Sequence, residues 1–182
     1  MGQGATDRHR HYESAFDDCL RRHGWPFIRV DEQKRAVFTG AKIKSFDFLV
    51  YPSTGKGWLV DVKGRSFPYD GRHGRRYWEN WVTQDDLEGL RAWESVFGDD
   101  FEAVFVFAYW LRELQHRQPL GPVHPFRDER YAFMWIRAAQ YTSLARLRSR
   151  SWDTLSMPAA QFRRFAEPVF PEPLPDAALN AT

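Results

Sequence analysis

Three side chains in one short stretch could do phosphate chemistry together. Asp61 and Lys63 stand two apart in Trp58-Leu59-Val60-Asp61-Val62-Lys63, and Asp47 lies just upstream in Ser45-Phe46-Asp47-Phe48-Leu49-Val50-Tyr51. Both runs are rich in β-branched and aromatic residues. The segment between them, Pro52-Ser53-Thr54-Gly55-Lys56-Gly57, is turn chemistry, so the pair reads as a β-hairpin. Strand side chains alternate between faces, which puts Asp61 and Lys63 on one side and Trp58, Val60 and Val62 on the other. In an even register Asp47 falls beside Asp61 on that face, and a one-residue slip separates them. Charges inside apolar strands are costly unless paired or bound to metal. Two adjacent carboxylates either raise a pKa or recruit a cation. Two carboxylates and an ammonium suit a divalent metal and a phosphate. Mg²⁺ prefers carboxylate oxygens and completes its shell with water and substrate phosphate, and it can polarise a phosphoryl oxygen. Lys63 would orient the attacking water or offset charge growing in the transition state. Glu32-Gln33-Lys34 has the same spacing, but no strand surrounds it.

These groups need a sheet and helices to hold them. Tyr12, Phe16, Cys19, Leu20 and His23 recur at three and four, which predicts a helix from His9 to the stop at Gly24. Phe27 to Val30 reads as a short strand, and 31–41 as a turn or edge ribbon. Thr83-Gln84-Asp85-Asp86 resembles a capping box, with Thr83 as N-cap and Asp86 at N3, opening a helix that turns Leu87, Leu90, Trp93 and Phe97 inward and ends at Gly98. Residues 103–110 are continuously apolar, as expected of a strand covered on both faces. Residues 114–130 read as a long loop, 131–136 as a strand, 138–148 as a helix, 152–155 as a short strand and 158–166 as a helix capped by Ser156. The order predicts one α/β domain over 9–166, with 1–8 a flexible lead and 167–182 a flexible proline-rich tail.

Composition limits the function classes. The chain has 182 residues, 43% hydrophobic, 27% charged and 16% aromatic, enough for one domain with a real core and unlike a disordered chain. No apolar run approaches the ~18 residues of a membrane span. Residues 1–10 are polar and lack the apolar stretch of a secretory signal. The single cysteine, Cys19, can form no internal disulfide and no zinc cluster. A reducing, cytoplasmic location is the expectation. The net charge of +2 is too small to argue for a nucleic-acid partner. No P-loop, Ser-His-Asp arrangement or histidine metal constellation is visible, since His9 and His11 face apart on a helix and Gly55-Lys56-Gly57 lacks the P-loop spacing.

Asp47 followed by Asp61-Val62-Lys63, after an N-terminal helix that carries Glu13, resembles the PD-(D/E)XK nuclease superfamily. The resemblance covers about residues 9 to 110. His11-Tyr12-Glu13-Ser14-Ala15-Phe16 and Lys44-Ser45-Phe46-Asp47 are also similar to an uncharacterised bacterial family that begins with a His-Tyr-Glu-x-Ala-Phe motif, a match that brings no activity with it. The superfamily resemblance implies a restriction-endonuclease-like core, a mixed central β-sheet flanked by helices, with C-terminal strand and helix additions. It implies that Asp47 and Asp61 are metal-binding acids, that Lys63 is the catalytic lysine, that the Val62 backbone carbonyl is a further metal ligand, and that Glu13 is an extra acid on the first helix. Two positions depart from the pattern. Phe46 replaces the proline before the first acid, and Gln84 is followed by Glu88 where some relatives carry a tyrosine. Gln84 is therefore expected only as a substrate contact.

Arg65, Arg72, His73, Arg75 and Arg76 cluster with Tyr77, Trp78 and Trp81 directly after the acidic site. Arginine holds phosphates and aromatic rings stack on unpaired bases, so Arg65, Arg72, Arg75, Arg76 and Tyr77 join Gln84 as expected nucleic-acid contacts. The resulting expectation is a Mg²⁺-dependent nuclease, with Mn²⁺ as a substitute, that hydrolyses phosphodiester bonds in DNA. The alternative is a catalytically inactive nucleic-acid-binding module of the same fold.

Overall fold

Stretches that only a covered strand can accommodate alternate along this chain with stretches of helical periodicity. The computed structural model gathers the longest strands into a seven-stranded sheet between helical layers. It describes residues 3–30, 37–38, 41–42, 44–53, 55–67, 69–70, 76–112 and 120–172. In chain order the elements are α1 (Gln3–Arg22), β1 (Phe27–Arg29), β2 (Val37–Phe38), β3 (Ala41–Lys42), β4 (Phe48–Val50), β5 (Gly57–Phe67), β6 (Tyr69–Asp70), β7 (Arg76–Tyr77), β8 (Val82–Thr83), α2 (Gln84–Phe97), β9 (Phe101–Leu111), β10 (His124–Phe126), β11 (Glu129–Arg137), α3 (Ala138–Leu144), β12 (Arg146–Ser149), β13 (Thr154–Ser156), α4 (Ala159–Phe165) and β14 (Glu167–Pro168).

The main sheet runs β1-β4-β5-β9-β11-β10, with β14 paired to β11. β1, β4 and β5 form an antiparallel meander. β5 then pairs β9 in parallel along its whole length, from Gly57↔Phe101 to Phe67↔Leu111. A parallel pair needs a crossover connection, and α2 lies within it. The order helix, antiparallel strands, helix, parallel strand is the restriction-endonuclease-like core expected from the sequence. Strand alternation divides the core in two. Leu59, Phe105, Phe107 and Tyr109 face α2, α3 and α4, where Leu87, Leu90, Tyr141 and Phe162 close over them. Val60, Val62, Val104 and Val106 face α1 and meet Phe16 and Leu20. No helix among the described residues is long and apolar enough to cross a membrane.

Several boundaries differ from the sequence reading. β5 continues past Lys63, the end of the run read from the sequence, through Gly64 to Phe67, because its parallel partner β9 offers an unbroken ladder that local composition does not reveal. The helix expected over 138–148 stops at Leu144, and 146–149 is a strand paired with β13. α4 starts after Pro158 with no side-chain cap, so Ser156 does not cap it. Within the stretch read as a loop, β10 pairs β11. α1 begins at Gln3, inside the expected lead. Residues expected in the tail join the fold: β14 pairs β11, and Val169 and Phe170 are buried against the α1 face. Residues 173–182 lie outside the described residues.

The contact between α1 and β5 depends on one glycine. The ring of Tyr12 rests where a side chain at Gly64 would be, and a Cβ there would collide with it. Overpacking of this kind costs about 1–3 kcal/mol. We expect Gly64→Ala to lower the melting temperature by several degrees, at roughly 2–4 °C per kcal/mol for a chain of this size. The double substitution Tyr12→Ala/Gly64→Ala should melt higher than the sum of the single losses predicts. Strict additivity in thermal melts would place the strain elsewhere.

Candidate active site

Asp47 is the junction of three strands. It sits in a bend immediately before β4, where its backbone N–H donates to Val60 O at 2.8 Å and its backbone carbonyl accepts from Val30 N at 2.9 Å. Its side chain then does what the next residue of β4 would otherwise do: Oδ2 accepts the backbone N–H of Val62 at 2.6 Å. The β4–β5 ladder ends at Phe48↔Val60, and because the Asp47 N–H also reaches Val60 O the register breaks at Asp47; the Asp61 charge is still near enough to raise the Asp47 pKa. Both carboxylates are buried, Asp47 at 7% and Asp61 at 6% exposure. The even register read from the sequence is observed over Phe48–Val50.

Lys63 follows Asp61 on the same face of β5. Its Nζ lies 2.8 Å from Asp61 Oδ2 and 3.0 Å from Asp86 Oδ1. Asp86 comes from the first turn of α2, where the capping box forms as predicted: Thr83 Oγ1 accepts from Asp86 N at 3.1 Å, and Asp86 Oδ2 accepts from Thr83 N at 2.8 Å. One oxygen of Asp86 therefore caps the helix while the other faces two lysines, Lys63 and Lys44. Lys44 is delivered by the segment leading into Asp47. That segment lies so close to α2 that a Cβ on Gly89 would be 3.0 Å from Lys44 O, and Trp93 Nε1 donates to the same carbonyl at 3.0 Å.

Burial decides how these groups titrate. It pushes the Asp47 carboxyl well up, and the neighbouring charges of Asp61 and Glu13 push it further, against the Val62 N–H and Lys63. Burial also raises Asp61, with Asp86 adding to the rise and Lys63 opposing it. For Lys63, burial works to discharge the ammonium, but Asp61 and Asp86 outweigh it and hold its pKa above the ordinary lysine value. Lys63 is thus a cation at neutral pH and no general base. Asp86 is the opposite case from Asp47. Burial works to raise it, and Lys63, Lys44 and the Thr83 N–H together hold it well below the usual carboxylate range.

The other expected residues are less concentrated. Glu13 is carried by α1, on the opposite side of the sheet from Lys63. It is close enough to Asp47 to raise its pKa, yet its Oε2 accepts from Arg29 Nη2 at 2.6 Å. Arg65, expected to face nucleic acid, is instead buried. It lies on the same face of β5 as Lys63, donates to the carbonyls of Gly64 and Trp81, and stacks its guanidinium 3.9 Å from the Trp81 ring. The inward turn follows from the unforeseen length of β5. Gln84 is at the start of α2, bonded to Glu88 at 3.0 Å. Arg72 and Arg75 lie outside the described residues, and Arg76 and Tyr77 form the short strand β7. Asp86 and Lys44 were missed as members of the site. Asp86 was visible only as a helix cap, and a capping acid that is also a lysine's partner carries no separate signal.

The donor set fits a hard divalent cation. Asp47 and Asp61 are each held through Oδ2 in the contacts above. In a strand the carbonyl of a residue points to the same side as its N–H, so the Val62 carbonyl faces the Asp47 side of β5. Two carboxylates and one carbonyl are oxygen ligands of the Mg²⁺ kind, with the remaining positions left to water and phosphate. Among the described residues no three acidic, histidine or cysteine side chains converge as a ready cage, and Glu13 does not complete one.

No family model matches the chain, and no curated protein matches it. Among solved structures it is similar to that of Hjc, a Holliday junction resolvase from the archaeal hyperthermophile Archaeoglobus fulgidus. The two are 14% identical, with 88% of this chain and 90% of that one covered and a TM-score of 0.49.

The two perturbed acids act in separate pH windows. Asp47 is raised in the folded state, so its charging destabilises the fold as pH climbs above the ordinary value of 3.8 and through the native one. Asp86 is depressed, so its contribution is complete above the unfolded value and is lost as pH falls below it. Without divalent metal, Asp47→Asn should keep the bond from Val62 N, remove the buried charge and raise the melting temperature at pH 7. Asp86→Asn should lower it and flatten the acid limb below about pH 4. Melts from pH 3 to 8 check both, and a destabilised Asp47→Asn protein would refute the electrostatic account.

Proposed function

We propose that the chain is a Mg²⁺-dependent nuclease that hydrolyses phosphodiester bonds in DNA, with Mn²⁺ as a substitute. The observation that carries this reading is the meeting of Asp47 and Asp61 at the bend before β4, with the charged Lys63 beside them. Asp47, Asp61 and the Val62 carbonyl would hold the cation. When bound, it would polarise a phosphoryl oxygen and lower the pKa of a coordinated water. The chain's own residues do the rest. The Asp47 carboxylate is fixed by the Val62 N–H, so the acid is held in place before any substrate arrives. Lys63 is held charged by Asp61 and Asp86, and its ammonium supplies positive charge where negative charge grows in the transition state. Glu13 lies behind Asp47 and adds negative field without joining the donor set. Arg72, Arg75, Arg76 and Tyr77, in the segment after β5, are proposed contacts to the nucleic-acid backbone.

A second reading has its own observation. Lys44, Lys63, Asp61 and Asp86 form a charge-balanced quartet that needs no further ion, which suits an inactive nucleic-acid-binding module. The two readings diverge in one assay. The nuclease should cut DNA with Mg²⁺ or Mn²⁺ and be silent in chelator. Asp61→Asn should lose activity, together with any rise in melting temperature caused by the metal. Lys63→Gln, once shown to be folded, should cut at least about 100-fold more slowly while binding DNA nearly as well, because a contact made in the transition state lowers turnover without weakening ground-state binding in proportion. Tight binding by the wild-type chain without cleavage under either metal would leave the binding module as the answer.

A further inference from the structure

The hairpin of β12 and β13 carries a surface that the site chemistry leaves unexplained. Arg146, Leu147, Arg148 and Arg150 are exposed, and Trp152 in the turn is 78% exposed. An indole held in water forgoes a large burial gain. The side chains of Arg146, Arg150 and Trp152 make no hydrogen bond, ion pair or ring contact with any other described residue. The hairpin is nevertheless firmly mounted. Asp153, in the left-handed region at φ 46°, turns its carbonyl to accept from Gln84 N at 2.9 Å. β13 pairs β8 through Thr154↔Thr83 and Leu155↔Val82, which ties the hairpin to the cap that holds Asp86. A register shift between Leu147 and Ser149 re-aims Arg148. Its guanidinium lies 5.3 Å from the Trp81 ring and 3.5 Å from Glu79. Trp81 is the ring on which Arg65 stacks, and Arg65 is about 7 Å along β5 from Lys63. Two rigid routes therefore connect the hairpin to the lysine of the candidate site.

We infer that this hairpin docks nucleic acid for that site: Trp152 stacks on an unpaired base, and Arg146 and Arg150 hold the flanking phosphates. The substrate class would be nucleic acid with a single-stranded segment beside the scissile bond. This deepens the nuclease reading and rests on it for the chemistry, but not for the binding. Three arginines against the single acid Asp153 favour a polyanion over a second copy of the same surface, which would bring like charges together. Aromatic stacking adds sequence-tolerant affinity for unpaired bases, whose faces a duplex conceals.

Fluorescence anisotropy in chelator, with a labelled single strand and its blunt duplex, tests the inference. Trp152→Ala should weaken single-strand binding about tenfold and lower the preference for single strand over duplex. Arg146→Ala/Arg150→Ala should reduce the salt slope on the single strand by about 1.4, roughly 0.7 for each lost phosphate contact. All three positions are exposed, so melting temperatures should not move. Variants that bind the single strand as the wild type does would overturn the inference, and so would a wild-type chain that binds no nucleic acid. A dimer seen by light scattering that Trp152→Ala dissociates, with DNA binding unchanged, would assign the surface to self-association instead. Metal-dependent cleavage that ignores the hairpin substitutions would sink this inference and spare the nuclease reading. Hairpin-dependent binding with no cleavage would do the reverse.

Discussion

The backbone N–H of Val62 donates to a carboxylate where a strand ladder would supply a carbonyl, and the arrangement of charge in this protein depends on that bond. It does two things that conflict. As a hydrogen bond to a charged acceptor it continues the β4–β5 pairing past the point where β4 bends away. As a tether it holds the Asp47 carboxylate in a buried place within the fields of Asp61 and Glu13. β1 is tied to the same residue through Val30 N, so the meander cannot relax by letting Asp47 swing out without breaking bonds on both sides. The fold needs the residue there, and the residue brings a charge problem with it.

Among the described residues, the cations that face Asp61 lie on the α2 side of the sheet. Lys63 and Lys44 bring positive charge, and Asp86 divides them from each other while capping the helix. The first turn of α2 adds the positive end of its dipole, which favours a carboxylate at that position. A buried ion pair is weak evidence for stability, since desolvation cancels much of its attraction and apolar side chains of similar volume do as well or better. The rest of β5 follows the apolar course: Leu59, Val60 and Val62 are buried hydrophobics on the two faces of the same strand. Charge on β5 is thus grouped at Asp61, Lys63 and Arg65, the pattern expected where chemistry rather than folding sets the residue types.

Much of this was legible because short-range rules carried it. Alternation along β5 separates Asp61 and Lys63 from Val60 and Val62, and the apolar run of β9 could only be a strand covered on both faces. The capping box at Thr83 and Asp86 is written in four consecutive residues, and it forms as read. What could not be read depends on partners far away in sequence. β5 extends past Gly64 because β9 pairs with it, and this extension turns Arg65 inward onto Trp81. Residues 146–149 have the composition of a helix end but become a strand because β13 and β8 wait beside them. The second role of Asp86 emerges only when the crossover carries α2 over β5.

That crossover also explains why the site and the basic hairpin belong to one mechanical unit. The link from β5 to β9 runs through Trp81 and α2 before it returns to the sheet. Arg65 presses on Trp81 from the strand and Arg148 approaches the same ring from the hairpin, while Gln84 N–H reaches the turn of that hairpin. The hairpin is therefore in contact, through Trp81 and Gln84, with Arg65 and with the first turn of α2, the two places that border Lys63. A substrate seated on the hairpin would find the lysine already charged and the carboxylates already fixed, because burial and the Val62 bond set them before binding. In the proposed nuclease, preorganisation of this kind would leave catalysis to register: whether the phosphate reached Lys63 would depend on where the hairpin held the chain that carries it.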